Sequence, residues 1–171
     1  MKSKAAIAGH PIHPMLVGFP VAAYIGSLVG YAVYAGTGHQ FWLNFAIALN
    51  VAGVGAAVLA ALPGAVDLLL VVPSKSPAQW VGRAHAGFNV VSLALFSITL
   101  GVYASHWNGP PRSASLGVTL AAIGVATTLA AGALGWSLVQ DYHVGIRETD
   151  ADGARWTADT SAARPRHGQQ G

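Results

Sequence analysis

Four long stretches of this chain contain no Asp, Glu, Lys or Arg: Met15–Tyr34, Phe41–Leu62, Ala84–Tyr103 and Leu116–Val139. Each is long enough to cross a hydrocarbon layer of about 30 Å, which takes about 20 helical residues. Lipid offers the backbone no hydrogen-bond partners, so a span of this kind must bond to itself as a helix. The composition agrees: 53% of residues are hydrophobic and 9% charged, whereas about a quarter of a soluble domain is charged. A soluble bundle this apolar would lack the polar residues to cover its own surface. The expected fold class is all-α, an integral membrane four-helix up-down bundle with both termini on the same side. Helices are expected over about 14–35, 41–63, 84–105 and 115–140. Residues 1–147 then form one four-span domain, and 148–171, richer in charge, Gly and Pro, a flexible polar tail. No internal repeat stands out along the chain.

Orientation follows from the cations. With four spans, Lys2, Lys4, Lys75, Arg83, Arg147, Arg155, Arg164 and Arg166 fall on one side, and only Arg112 on the other. Such asymmetry predicts a cell-membrane protein with both termini cytoplasmic. It also accounts for the sequence pI near 9.5 without nucleic acid, for which no aromatic-basic module is present. Lys2 and Lys4 precede no small-residue cleavage site, so no cleavable leader is expected. The absence of cysteine excludes disulfides, thiolate-held iron–sulfur clusters, zinc ribbons and covalent c-type haem. No spacing suggests a Ser–His–Asp triad, so hydrolysis is not expected.

Alternating helix direction assembles a constellation. His10 and His13 precede or open span 1, Asp67 follows span 2, His85 opens span 3 and His143 follows span 4, all at the cytoplasmic end. Span 3 also carries a polar stripe, His85, Asn89, Ser92, Phe96, Thr99, Tyr103 and His106. Span 1 carries its like, His13, Val17, Pro20, Tyr24, Ser27, Tyr31 and Tyr34. Steps of three and four keep each stripe on one helical face. In lipid these faces should turn inward, and spans 1 and 3 lie diagonally in a simple bundle. Small residues on span 4 (Gly117, Ala121, Gly124, Thr128, Gly132 and Gly135) and the Gly26–Gly30 step on span 1 suit close helix packing, within the bundle or between copies in a homo-oligomer. Pro14 suits a first helical turn, and Pro20 should bend span 1. His13 and His85 are expected at helix N-termini, where the dipole opposes a charged ring.

The motifs "HPIHPMLVGFP", "PGAVD", "GRAHAGFN" and "GWSLVQDYHVGI" resemble the membrane family called domain of unknown function 2231, over residues 9 to 147. The chain departs from that pattern at Val144, where the family has glycine, and near Gly18, where it often has another histidine. The resemblance implies a four-helix membrane domain. Its association with Rieske-type and cytochrome-type domains implies electron transfer, with His10, His13, Asp67, His85 and His143 as the pattern residues.

The residues support several chemistries. The first is b-type haem, with His13 and His85 as axial ligands from facing helices. His10 or His143 would serve a second haem or a propionate, Arg83 a propionate, and Asn89 would orient a ligand. A redox partner protein is then expected beside the lipid bilayer. The second is a non-haem ion such as Fe, Cu or Zn on His13, His85, His10, His143 and Asp67. Proton or small-ligand handling through Ser92, Thr99 and Tyr103 is the third, and a purely structural bundle the fourth. At the far end His39 and His106 are a candidate second pair. An electron-transfer or binding protein is expected rather than a turnover enzyme.

Overall fold

Local stop signals, more than hydrophobicity, set where the helices begin and end. The structure is a computed structural model and describes residues 3–8 and 10–145; the expected tail lies outside them. A small hairpin pairs β1 (Ala6–Ile7) with β2 (His10–Pro11). The first span is two helices, α1 (Ile12–Leu16) and α2 (Gly18–Thr37). Pro20 explains the break: it lacks the N–H that would bond the Leu16 carbonyl, and its ring crowds that carbonyl. At the end of α2, Gly38 takes a φ of +67° and donates its N–H to the Tyr34 carbonyl. Side-chain-free glycine adopts this left-handed stop at little cost. Only Gly38 and His39 separate α2 from the next helix.

Helix α3 (Gln40–Leu70) runs through Pro63, past its expected end. Its 31 residues span about 46 Å, well beyond a hydrocarbon layer. The extension is held by Asp67, whose carboxylate accepts from Ser3 Oγ at 2.6 Å and from the Lys4 and Ala5 N–H groups at 2.9 and 3.3 Å. Helix α4 (Pro77–Tyr103) starts seven residues before the expected Ala84. Ser76 caps it by accepting from the Gln79 N–H at 3.2 Å, with Pro77 in the first turn. A 3-10 turn (Ala104–His106) follows, and α5 (Ser115–Gln140) fills the expected fourth span.

All four long segments are apolar enough to cross a membrane. Phe19, Leu59, Val90, Ile98 and Leu129 point outward, where lipid is the solvent. Exposed Trp80 and Trp136 sit towards one end, Phe41 and Trp107 towards the other, as interfacial aromatics do. Helix α2 packs on α3 and α4 on α5, forming two hairpins joined by contacts of α2 with α5 and of α3 with α4. Thus α2 and α4 face each other diagonally. Their stripes meet on the axis: Tyr24 stacks on Phe96 with centroids 3.7 Å apart, and Tyr31 meets Tyr103 at 5.0 Å.

The two hairpins repeat one another, which the sequence reading missed. Pro20, Tyr24, Ser27 and Tyr31 of α2 are buried, and so are Ser92, Phe96, Thr99 and Tyr103, each 72 residues on. Likewise Leu43, Ala46, Asn50, Gly53 and Ala60 correspond to buried Ala114, Gly117, Ala121, Gly124 and Ala131, each 71 residues on. A Cβ on Gly53 would meet the Tyr24 ring at 2.7 Å, and one on Gly124 the Phe96 ring at 2.6 Å. The hairpins are thus parallel repeats about a pseudo-two-fold axis along the bundle. Two small-residue expectations are refined. The Gly26–Gly30 step packs inside the bundle, where a Cβ on Gly30 would lie 2.9 Å from Ala46 Cβ. On α5, Gly132 is exposed and Ala131 takes the buried place.

Candidate functional site

The kink before Pro20 places His13 in the one-turn helix α1, leaning over α3. His85 lies in the third turn of α4 rather than at its N-terminus, because that helix starts at Pro77. The two rings meet at the junction of the hairpins, centroids 5.9 Å apart and planes at 85°. Both side chains are half-buried.

Each imidazole is held the same way. His13 Nδ1 lies 2.8 Å from the Ala60 carbonyl oxygen on α3, and His85 Nδ1 lies 2.7 Å from the Ala131 carbonyl oxygen on α5. A carbonyl oxygen only accepts, so each Nδ1 carries a proton and donates it. In the neutral ring, Nε2 then bears the lone pair. One turn beyond each carbonyl a glycine makes room for the ring. A Cβ on Gly64 would come within 2.8 Å of His13 Nδ1, and one on Gly135 within 3.1 Å of His85 Cε1. Carbonyl, glycine and histidine therefore form one unit used twice. On the α4 side, the Asn89 amide donates to the lone pair at His85 Nε2 over 3.1 Å and to the His85 carbonyl over 2.9 Å.

The other candidates have surroundings of their own. Asp67 ties down residues 3–5 with its carboxylate. His10 is exposed on β2, and His143 is exposed in the turn after α5 with φ at +54°. Arg83 is exposed, its guanidinium 5.4 Å above the Trp80 ring. Among the described residues no three His, Cys, Asp or Glu side chains are grouped to hold one metal ion. A shared end of the bundle thus does not by itself bring three of these side chains to one ion among the described residues. At the far end His106 stands with Ser105, Arg112 and the Tyr103 ring. His39 is exposed just before α3.

The sequence reading missed the carbonyls of Ala60 and Ala131 and the roles of Gly64 and Gly135. The signal was available in the shared register: histidine in the first helix of each hairpin, Ala-x-x-x-Gly in the second. Gly64 also falls in "PGAVD" and Gly135 in "GWSLVQDYHVGI", two of the motifs that carry the family resemblance. No curated protein and no solved structure matches the chain with significance. A family model described as "Predicted membrane protein (DUF2231)" matches residues 9–148, a stretch that runs from the hairpin before α1 to beyond α5 and holds both histidine–glycine units. The chain therefore belongs to the family of domain of unknown function 2231, whose members are predicted membrane proteins.

Proposed function

We propose that this multi-pass membrane protein binds haem b between His13 and His85 and transfers electrons. The observation that carries the proposal is the pair of Nδ1–H bonds to backbone carbonyls. Such bonds fix the tautomer, direct the lone pair to Nε2 and raise ligand basicity, as they do for metal-bound histidine in general. Haem iron needs only two protein ligands, since the porphyrin supplies four nitrogens. That matches a site with two histidines and no third donor grouped with them among the described residues. Binding would require Asn89 to give up its bond to His85 Nε2. In this proposal Asn89 then orients the ligand, Arg83 serves a propionate from the helical turn before His85, and His10 and His143 remain peripheral candidates for a propionate or a second haem.

A second reading, a non-haem ion such as Cu, Fe or Zn on the same two nitrogens, is supported by the closeness of the rings, whose centroids lie 5.9 Å apart. An absorption spectrum of the purified protein before and after dithionite distinguishes the two. The expected result is a Soret band that shifts and sharp α and β bands on reduction, lost in both His13→Ala and His85→Ala. A featureless spectrum with stoichiometric metal by elemental analysis would move the assignment to the ion; haem retained in both variants would overturn the pair.

The cell membrane is the proposed location, with both termini cytoplasmic and a redox protein as partner on that side. What supports the orientation is charge: Lys4, Lys75 and Arg83 lie at one end of the bundle and Arg112 at the other. A reporter fused after Gly171 should be active only when it is of a kind that works in the cytoplasm.

A further inference from the structure

The two imidazoles are held alike at Nδ1 but differently at Nε2. His85 Nδ1 gives its proton to the Ala131 carbonyl, so its Nε2 keeps a lone pair. The Asn89 side-chain nitrogen lies 3.1 Å from that Nε2 and 2.9 Å from the His85 carbonyl oxygen. Both partners are acceptors, so the end of the amide turned towards them must be the NH2, with one N–H for each. An amide oxygen in that place would meet two lone pairs.

His13 lacks this second hold. Among the described residues its one hydrogen bond runs from Nδ1 to the Ala60 carbonyl, which leaves the Nε2 lone pair unengaged. The repeat gives the reason. A step of 72 residues carries His13 onto His85 and Val17 onto Asn89, and valine has no N–H to offer. The carbonyl and the glycine of the two units correspond, Ala60 with Ala131 and Gly64 with Gly135. Seating the ring against them does not itself call for asparagine, since His13 is seated without one.

We infer that Asn89 is a lock on the His85 lone pair, so that a metal centre reaching the pair engages His13 first and His85 only when the amide swings aside. The inference rests on the reading of the pair as a ligand site and adds an order to it. The surroundings favour the closed lock. Asn89 is exposed on a helix apolar enough to cross a membrane, where hydrocarbon offers an amide no partner. Opening nevertheless breaks a single bond, because the bond to the His85 carbonyl can stay. The exposed side chain also has space to turn. One such hydrogen bond is worth about 2- to 10-fold in an equilibrium, which is the size of a gate rather than of a permanent block.

The test is modification of the full chain in lipid nanodiscs by diethyl pyrocarbonate, which a free imidazole lone pair attacks, read residue by residue by mass spectrometry. His13 should react faster than His85 in the wild type. Two variants remove the N–H groups: Asn89→Leu, whose side chain is larger than asparagine and opens no new path, and Asn89→Val, which copies the first hairpin. In both, modification of His85 should quicken by the factor one hydrogen bond is worth, while that of His13 stays unchanged. Nuclear magnetic resonance with 15N in histidine gives a second sign: the His85 Nε2 resonance should move towards that of His13 Nε2 in both variants, with Nδ1 unmoved. An unchanged His85 rate and Nε2 resonance, or an equal rise at both histidines, would overturn the lock. Neither readout uses haem or metal. The lock can therefore fail while the purified protein still shows a haem spectrum, and hold where that spectrum is featureless.

Discussion

A ring is only as well placed as the atoms behind it, and here those atoms include two glycines. Alanine at Gly64 would bring a methyl within 2.8 Å of His13 Nδ1, whereas alanine at Gly135 would come to 3.1 Å from His85 Cε1. The first approach is too close for any real Cβ, so His13 must move. The second asks the ring to give by a few tenths of an ångström. Gly64→Ala should therefore lower stability by about 1–3 kcal/mol, the usual cost of overpacking, and Gly135→Ala by less, as read from unfolding in detergent. Under the proposed function, the same ordering is expected for the loss of haem or metal. Asp67 gives the opposite pattern. Its carboxylate holds Ser3, Lys4 and Ala5 rather than the histidines, so Asp67→Ala should free the N-terminal segment while leaving cofactor or metal content unchanged. Limited proteolysis beside elemental analysis checks both halves, and a lost metal would return Asp67 to the ligand set.

Among the elements, the break between α1 and α2 matters most. His13 reaches the Ala60 carbonyl from a one-turn helix whose axis is released from α2 at Val17. Replacing Pro20 by Ala returns an N–H to the Leu16 carbonyl and allows α1 to join α2 as one helix. The fused helix would carry His13 away from α3. Under the proposed function, Pro20→Ala should then weaken metal or haem binding at least several-fold in a ligand titration while leaving helix content by circular dichroism unchanged or slightly raised. The bend at Pro20 was legible in the sequence, as were the four spans. Two helix ends were not. Ser76-Pro77 is a start signal, but counting apolar residues from the last charge, Arg83, hid it. Pro63 reads as a stop, yet α3 continues for seven residues because Asp67 anchors the extension to residues 3–5, a contact made across more than 60 positions.

For the whole molecule, the repeat predicts separability. Packing within each hairpin is more extensive than packing between them, and the link is the short segment between Leu70 and Pro77. Pieces 1–74 and 75–171, expressed together, should assemble and co-purify in equal amounts when only one carries an affinity tag. Failure to associate would mean that the covalent link, rather than the inner faces, holds the halves in register. Assembly should also restore the histidine pair, since one ring comes from each piece. The repeat escaped sequence reading because its signal is spread thinly. Tyr24 corresponds to Phe96, Ser27 to Thr99 and Asn50 to Ala121, so burial is kept more faithfully than identity.

By itself the sequence determined the solvent, the number of spans and the inward stripes. These follow from local physics: a charge-free run of helical length belongs in lipid, and steps of three and four lie on one face. It also brought the titratable groups to one end of the bundle, because direction alternates from span to span. Only the tertiary structure decided which of them meet. His13 and His85 face each other because two hairpins pack about an axis, and their Nδ1 atoms find carbonyls on helices 47 and 46 residues away. Asp67 turned outward to the N-terminal segment for the same kind of reason. Ligand distance is set by packing between helices, and a chain's spacing along one helix carries no information about its neighbours.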